Sequence, residues 1–264
     1  MRYLIGKGFI GSNLSKKLDV IHIPHDNIKS TRLKAFDYFY FCSSYGNMAT
    51  HDDEDQMYKA NVEDLMTVLK KIRGMKFKSF VFLSTSSVML KTQTTYSRFK
   101  RVAEEILLAY MERHDVPICI IRPFTIYGPN EQPEHLIPTI LRSCFKGEQM
   151  NFVSEPVHDY LFIDDLTNGI ISLSEHRTRG IFQLGTGHAS SNQEVLLLIE
   201  EISGKKANIN KVNSLRAYDN TDWVSNNYKA RGYGWLPKYT LRQGLEKVVE
   251  DYIKNPKKYE NSLI

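Results

Sequence analysis

A tyrosine and a lysine four residues apart, Tyr96 and Lys100, have the types and the spacing that proton transfer requires. A spacing of four places both side chains on one face of a helix. There the lysine ammonium can stabilise the phenolate and lower the tyrosine pKa from its usual value of about 10. Such a tyrosine can exchange a proton with a carbinol oxygen while a hydride moves to or from a nicotinamide. The same spacing also occurs on ordinary helix surfaces, so the position in the fold must decide between the two interpretations.

A hydroxyl-rich segment precedes this pair. Residues 84–87 (STSS) follow directly after the apolar residues 79–83, which predict a strand. In parallel α/β sheets, ligands bind outside the carboxyl ends of the strands. The hydroxyls would then lie at the ligand-binding edge, which favours the catalytic interpretation of Tyr96 and Lys100. The alternative is that they cap the turn after the strand, and we expect this of at least two of the four.

A glycine-rich run near the N-terminus, residues 6–11 (GKGFIG), has the G-x-G-x-x-G spacing of a dinucleotide-binding loop. It follows a predicted strand at 3–5 and opens a predicted helix at 10–18, which is the context that the motif needs. The first glycine makes a tight turn, the second lets the backbone approach a pyrophosphate, and the third lets the helix pack on the strand. A plain structural turn is the alternative. The loop residues predicted to bind NAD or NADP are Gly6, Gly8, Phe9, Ile10 and Gly11.

An acidic residue about 20 positions after such a loop usually binds the adenosine ribose. The candidate here is Asp26, which follows a short predicted strand at 20–23. Asp26 could equally be a turn residue. Lys29 and Arg32 come soon after it and could receive a 2′-phosphate, so both NAD and NADP stay open as cofactors.

Short apolar segments alternate with helical patterns in the first half of the chain. Strands are predicted at 3–5, 20–23, 38–42, 79–83, 118–121 and later at 181–185. Helices are predicted at 10–18, 61–72, 96–112, 136–145, 193–202 and 241–253. The alternation predicts an α/β fold, a Rossmann doubly wound parallel sheet with a smaller C-terminal substrate-binding lobe. Residues 1–124 and 157–188 are predicted to form the NAD(P)-binding domain, and residues 125–156 and 189–264 the lobe.

Composition excludes several other classes of protein. The net charge of +5 comes from basic residues that are mixed with acidic ones, so we predict no nucleic-acid groove. Three scattered cysteines without metal-ligand spacing indicate reduced thiols and no metal site. We see neither a secretory leader nor an apolar run of the roughly 18 residues that a membrane span needs. We therefore predict a cytoplasmic protein with no membrane partner.

The ordered motifs resemble those of the extended short-chain dehydrogenase family, the nucleotide-sugar epimerases, dehydratases and ketoreductases, over nearly the whole chain. Residues 6–11 resemble its cofactor loop, one residue tighter than the common T-G-x-x-G-x-x-G form. Residues 37–44 (DYFYFCSS) are similar to its D-x-V-x-H-x-A-A strand, and residues 80–88 (FVFLSTSSV) to the strand with the active-site Ser or Thr. Further similarities join 122–129 to R-P-x-N-x-Y-G-P, 158–166 to R-D-F-x-H-V-D-D-x, 182–187 to Y-N-x-G-x-G and 229–237 to K-A-x-x-L-G-W-x-P.

This resemblance implies roles for individual residues and a quaternary structure. The catalytic residues it implies are Thr85, Tyr96 and Lys100. Besides the glycine loop and Asp26, the cofactor-binding residues it implies are Cys42, Ser43, Ser44, Asn61, Lys100 and Pro123. The substrate-binding residues it implies are Ser86, Thr125, His158 and Arg231. The substrate would be a nucleotide sugar, and relatives of this type suggest a homodimer formed by the helices at 61–72 and 96–112.

Departures from the family pattern reduce the number of activities that the resemblance implies. Dehydratases of the family carry Asp-Glu after the active-site Thr, whereas this chain has Ser86 and Ser87, which disfavours dehydration. The resemblance then favours a 4-ketoreductase or a 4-epimerase acting at C4 of a nucleotide-linked sugar. Thr125 replaces the usual Asn and His158 the usual Arg near the diphosphate, so a reductase of a non-nucleotide carbonyl is one alternative. A catalytically silent dinucleotide-binding protein is another.

Overall fold

The computed structural model describes residues 1–48, 51–213 and 223–260, and the chain divides into two compact units. The first unit comprises Met1–Pro123, Thr167–Gln183 and Tyr228–Trp235, and the remaining segments form the second. Compared with the predicted boundaries, contacts place residues 124, 157–166 and 184–188 in the second unit and residues 228–235 in the first. That the first unit binds the cofactor and the second the substrate stays a prediction.

The predicted strands and helices occur in the predicted order, with further strands and helices between them. The strands are β1 (Arg2–Ile5), β2 (Ile21–Ile23), β3 (Tyr38–Phe41), β4 (Ser79–Leu83), β5 (Ile118–Pro123), β6 (Thr125–Tyr127), β7 (Met150–Phe152), β8 (Val157–His158), β9 (Tyr160–Phe162), β10 (Gly180–Leu184), β11 (Ser190–Ser191) and β12 (Ile209–Lys211). The helices are α1 (Phe9–Ser15), α2 (Glu54–Tyr58), α3 (Asp64–Ile72), α4 (Thr95–His114), α5 (Leu136–Lys146), α6 (Ile163–Glu175), α7 (Asn192–Ser203), α8 (Tyr228–Arg231) and α9 (Leu241–Lys254). A π-helical segment, Lys59–Glu63, joins α2 to α3 without a break.

A six-stranded sheet with the order β10-β5-β4-β3-β1-β2 forms the centre of the first unit. The pairs β1–β2, β1–β3, β3–β4 and β4–β5 are all parallel. The direction of winding reverses between β1 and β3, and such a switch point is where ligands of open α/β sheets bind. The α/β class with a doubly wound parallel sheet is therefore confirmed.

The sheet is covered on both faces, because its strands are apolar at nearly every position. Alternate side chains such as Phe41 and Phe82 pack into one cluster with Leu65 and Leu69 of α3 and Leu107 of α4. The intervening side chains are also buried. Among these, the Tyr40 hydroxyl is 3.1 Å from the Ser174 hydroxyl of α6. Near-continuous apolar strands of this kind are typical of parallel sheets buried on both sides.

Besides the short helix α8, which was not predicted, two helical features differ from the prediction. The helical run that was expected to begin at residue 61 begins at Glu54, because the Asp53 carboxylate caps it by accepting a hydrogen bond of 2.9 Å from the Gln56 amide. Helix α6 was not predicted at all. Its buried apolar residues do recur at helical spacing, and this was the missed signal: Ile163, Leu166, Ile170 and Leu173.

The second unit is built from short strand pairs and helices. Strand β6 pairs with β9 and β12 with β7, both in parallel, while β11 pairs with β8 antiparallel. Helix α5 packs against α7, and α7 against α9. The buried Asp159 carboxylate organises the loops around β8 and β9, because backbone and hydroxyl donors of Thr186, Gly187 and Ser225 surround it at 2.6–3.0 Å. Within the described ranges, no helix is long and apolar enough to cross a membrane.

Candidate active site

The glycine loop lies at the switch point and is tightly packed against the end of β3. Gly6 has a φ of +86°, and a Cβ there would collide with the Ser43 amide nitrogen. A Cβ on Gly11 would collide with the Gly6 carbonyl oxygen, so this glycine brings α1 close to the β1 turn. Both positions therefore require glycine for packing.

Gly8 differs from the other two glycines of the loop. A Cβ built there would have no atom of the described residues within 4 Å, and the φ of −74° is one that any residue adopts. Gly8 is the N-cap of α1, and Phe9 and Ile10 form the first, half-exposed positions of that helix. An open backbone at a helix N-terminus is suited to a pyrophosphate, because amide groups and the helix dipole both favour an anion. The loop therefore fits the dinucleotide that the sequence predicts.

Lys100 is buried under the carboxyl ends of β3 and β4. Its ammonium donates hydrogen bonds to the carbonyl oxygens of Leu83 at 2.8 Å and Ser43 at 3.3 Å, and it lies 4.7 Å from the centre of the Phe82 ring. Burial lowers the pKa of Lys100 to about 7, although Cys42 and Glu104 oppose this shift. The lysine thus sits where the switch point meets the hydroxyl-rich strand end.

The Tyr96 hydroxyl is surrounded by other hydroxyl groups. The Ser44 hydroxyl oxygen lies 3.2 Å from the Tyr96 hydroxyl oxygen, and the Thr85 side chain is a second neighbour. Burial raises the pKa of Tyr96, and the hydrogen bonds from Ser44 and Thr85 partly offset that rise. The expected lowering of this pKa by Lys100 is not seen, because the ammonium is directed at two backbone carbonyls.

Thr85 combines the two roles that the sequence left open. It is the N-cap of a 3-10 turn, Ser86–Met89, and its hydroxyl oxygen accepts from the Ser87 amide at 3.2 Å. The same oxygen is 3.0 Å from the Ser87 hydroxyl. Ser86, predicted to bind substrate, is buried in this turn. Thr85 therefore caps the turn and also reaches the Tyr96 hydroxyl.

Asn61 lies inside the π-helical segment and is fully buried. Its amide nitrogen donates to the carbonyl oxygens of Tyr45 at 2.7 Å and Met57 at 2.8 Å, and its amide oxygen accepts from the Ser44 hydroxyl at 3.4 Å. The amide thus ties the segment after β3 to the helix. Asn61 was predicted to bind the cofactor, and in the structure its amide is a hydrogen-bond partner of Ser44.

A second network at the end of β3 was missed at the sequence level. The ring of His25 bridges the buried Asp64 carboxylate, 3.1 Å from Nδ1, and the Ser43 hydroxyl, 3.2 Å from Nε2. This is the connectivity of a Ser-His-Asp triad. Ser43 is only 1% exposed, however, so its hydroxyl is too buried to attack a substrate. The detectable signal was Asp64, a carboxylate one turn after Asn61 on an apolar helix face.

A buried ion pair, also missed, lies behind the site. Glu104 of α4 accepts from the Arg122 guanidinium through both carboxylate oxygens, at 2.9 and 2.5 Å, and from the Ser84 hydroxyl. Glu104 lies one helical turn after Lys100, so the spacing was the available signal. The pair anchors the helix that carries Tyr96 to β4 and β5.

The other predicted cofactor and substrate residues have varied surroundings. Burial raises the pKa of the Cys42 thiol to about 12, which makes that thiol unreactive. Asp26 is exposed in a 3-10 turn after β2, Pro123 is buried at the end of β5, and Arg231 is exposed on α8. These residues all belong to the first unit.

Thr125 and His158 belong to the second unit. Thr125 lies on β6, which pairs with β9, and its amide donates to the Asp159 carbonyl at 3.0 Å, whereas His158 lies on β8, which pairs with β11. The His158 ring packs edge-on against Tyr160 and beside Trp223. Within the part of the chain that the structure describes, no group of three or more His, Cys, Asp or Glu is arranged to hold a metal ion.

Comparison with known proteins identifies the family of this chain. The model of the NAD dependent epimerase/dehydratase family matches residues 23–185, which is more than half of the chain. The chain belongs to this family. The matched range includes Thr85, Tyr96 and Lys100, while the glycine loop precedes it.

Individual relatives agree with this assignment. The CDP-abequose synthase of Salmonella typhimurium is 25% identical over 213 residues, which are 72% of this chain and 70% of the relative. The UDP-glucuronic acid 4-epimerase of Bacillus cereus, solved with UDP-glucuronic acid and NAD, superimposes with a TM-score of 0.82 at 22% identity, covering 97% of this chain and 100% of that one. RMD of Pseudomonas aeruginosa, solved with NADPH, gives a TM-score of 0.83 at 16% identity, covering 96% and 99%. At these identities the two structures show a shared fold.

Proposed function

We propose that this protein is an NAD- or NADP-dependent enzyme that reduces or epimerises C4 of a nucleotide-linked sugar. The observation that carries the proposal is the position of the Tyr96 hydroxyl. It lies among the hydroxyls of Thr85 and Ser44, with buried Lys100 one helical turn further on. All four belong to the unit that carries the open glycine loop.

The residues divide the chemistry between them. A bound nicotinamide would supply or accept the hydride at the sugar carbon. Tyr96 gives its phenolic proton to the carbonyl oxygen during reduction and takes it back during oxidation. Thr85 donates a hydrogen bond to the same oxygen and stabilises its developing charge. Lys100 would hold the nicotinamide ribose.

The positions that follow Thr85 support redox chemistry over dehydration. Removal of water would require an acid and a base beside the sugar, and the corresponding residues here are Ser86 and Ser87. Ser86 is buried, and the Ser87 hydroxyl is 3.0 Å from that of Thr85. Hydroxyls with such partners can donate hydrogen bonds but are poor bases at neutral pH.

The substrate class follows from the named relatives. A CDP-linked product is named for one of them and a UDP-linked sugar acid for another, and we extend a nucleotide sugar to this chain. The second candidate is a carbonyl compound without a nucleotide. It is favoured by one observation, that His158 packs against Tyr160 and Trp223 at the place where the family pattern has an arginine. A homodimer and a cytoplasmic location remain predictions.

The test is a panel of nucleotide sugars and their 4-keto derivatives, followed by nicotinamide absorbance and product mass. Tyr96→Phe should lower kcat by roughly 100- to 10,000-fold and leave cofactor binding intact, because only the transferable proton is removed. Tyr110→Phe is the matched control, since Tyr110 lies on the same helix and its hydroxyl donates only a single described bond, to the Leu69 carbonyl at 3.2 Å. Equal turnover by Tyr96→Phe and wild type would refute the mechanism. Turnover confined to carbonyls without a nucleotide would refute the substrate class.

The cofactor content of the purified protein also distinguishes an epimerase from a ketoreductase. An epimerase must keep its nicotinamide through both half-reactions, so it should retain cofactor after gel filtration. A ketoreductase must exchange it and should emerge without it. Heat extraction and absorbance of the extract measure this directly.

A further inference from the structure

Two serines stand at the end of β3 where the family pattern D-x-V-x-H-x-A-A has two alanines. Ser43 and Ser44 therefore bring hydroxyl groups that the pattern lacks. The Ser43 hydroxyl turns inward to His25, whereas Ser44 is exposed and its hydroxyl lies 3.2 Å from the Tyr96 hydroxyl. The second serine thus contacts the residue that carries the proton chemistry.

The Ser44 hydroxyl has two described side-chain partners, the Asn61 amide oxygen and the Tyr96 hydroxyl. The Asn61 amide nitrogen already donates to the Tyr45 and Met57 carbonyls, which fixes the amide with its oxygen toward Ser44 at 3.4 Å. A serine hydroxyl carries one proton and can accept as well as donate. When Tyr96 is a phenol, it can donate to Ser44 while Ser44 donates to Asn61. When Tyr96 is a phenolate, the Ser44 proton can rotate to it.

We propose that Ser44 is a positioning residue that acts through Tyr96, by donating a hydrogen bond that stabilises the ionised form of the tyrosine. This inference rests on the proposed role of Tyr96 as the acid and base. It is supported by the direction of Lys100, whose ammonium bonds to the Leu83 and Ser43 carbonyls, so that the groups bonded to the phenol oxygen are hydroxyls. A donor to the charged form lowers the pKa of a tyrosine that burial raises.

The direct test measures the ionisation of Tyr96 without substrate. Difluorotyrosine is incorporated in place of the 15 tyrosines, because ring fluorines bring phenol ionisation toward neutral pH and give a fluorine NMR signal. The Tyr96 resonance is assigned by its loss in Tyr96→Phe. Ser44→Ala should raise the ionisation midpoint of that resonance by roughly half to one pH unit, while Ser44→Thr, which keeps the hydroxyl, should restore it.

The matched control is Thr67→Ala. It also removes one hydroxyl from the same unit, but this hydroxyl is half-buried and donates to the Glu63 carbonyl at 3.0 Å. The ionisation midpoint of Tyr96 in Thr67→Ala should equal that in wild type. A Ser44→Ala midpoint equal to wild type would overturn the proposal, as would an equal rise in Thr67→Ala.

Kinetics on the active substrate provide the second measurement. The pH profile of kcat in Ser44→Ala should move upward by the same interval, with little change in KM for the cofactor. A raised cofactor KM with an unmoved profile would show that Ser44 only binds the cofactor, and would refute the positioning role. If no substrate of the panel is turned over, the proposed function fails, and the NMR titration still decides the role of Ser44.

Discussion

Gly8 and Gly11 lie three residues apart in one loop, yet the structure predicts opposite effects of enlarging them. At Gly8 a methyl group would point into open space, and the backbone conformation suits any residue. At Gly11 the same methyl group would collide with the Gly6 carbonyl oxygen and lie 3.0 Å from the Gly6 carbonyl carbon. Gly8→Val should therefore remove cofactor binding from a folded protein, whereas Gly11→Ala should damage the fold.

The magnitudes follow from these contacts. Gly8→Val should change the free energy of unfolding by less than about 1 kcal/mol, because lost chain entropy in the unfolded state offsets a poorer N-cap. Gly11→Ala should cost at least about 1–3 kcal/mol, because backbone atoms cannot yield as a flexible side chain does. For a chain of this size each kcal/mol lowers Tm by about 2–4 °C. Two lost hydrogen bonds to a charged pyrophosphate would weaken the cofactor by at least about 100-fold.

Circular dichroism melting and fluorescence titration with NADH and NADPH measure both quantities on the same samples. We expect Gly8→Val to melt within about 3 °C of wild type and to bind neither dinucleotide at concentrations that saturate wild type. Gly8→Ala is the milder control and should show an intermediate affinity. Unchanged dinucleotide affinity in Gly8→Val would refute the assignment of this loop to the pyrophosphate. A Gly11→Ala variant as stable as wild type would refute the packing argument.

The remaining predictions concern Lys100, Thr85 and the oligomer. Burial gives Lys100 a pKa of about 7, whereas a free lysine side chain has 10.5. Between these pH values the unfolded chain binds a proton that the folded chain does not, so the free energy of unfolding increases as the pH rises. The difference in Tm between wild type and Lys100→Met should therefore shift in favour of wild type as the pH rises from 7 toward 10. Thr85→Ala should lower kcat about tenfold, less than Tyr96→Phe, because one neutral hydrogen bond is lost. It should also lower the Tm by a few degrees through loss of the cap on Ser87, which melting would detect. Sedimentation at micromolar concentration should show a homodimer, and a monomer alone would contradict that prediction.

Local features of the sequence predicted most of the sheet. Apolar strands such as β4 are recognised from their own residues, and 79–83 matches the observed strand residue for residue. The glycine spacing likewise identifies the loop after β1, because packing requires glycine at Gly6 and Gly11. Helix α6 could have been predicted from the helical spacing of its apolar residues. Its first residues, however, belong to the family motif at 158–166, which gave no indication of a helix. The strand pairs of the second unit are only two or three residues long, too short for any period to appear.

Contacts within the site depend on side chains that are far apart in sequence, and periodicity does not contain them. Ser44 and Tyr96 are 52 residues apart, and their hydrogen bond needs the register of β3 against β4 and the rotation of α4. The bridge from His25 to Asp64 needs the 3-10 turn after β2 to direct an imidazole at a helix. The direction of the Lys100 ammonium likewise depends on residues that are far apart in sequence. Its position on the helix could be predicted, whereas its carbonyl partners became visible only when β3 and β4 were placed side by side.

The hydroxyls at two neighbouring strand ends give the candidate site a consistent chemical character. The end of β3 supplies Ser44, whose hydroxyl is 3.2 Å from that of Tyr96, and the end of β4 supplies Thr85, which lowers the Tyr96 pKa together with Ser44. The carboxylate nearest in the helix, Glu104, is committed to Arg122 and to the Ser84 hydroxyl, so it is held as an ion pair behind the sheet. Neutral donors around one tyrosine can stabilise a phenolate and an alkoxide in turn, which hydride transfer at a carbinol requires. They cannot abstract a proton from carbon, which agrees with the proposed ketoreduction or epimerisation.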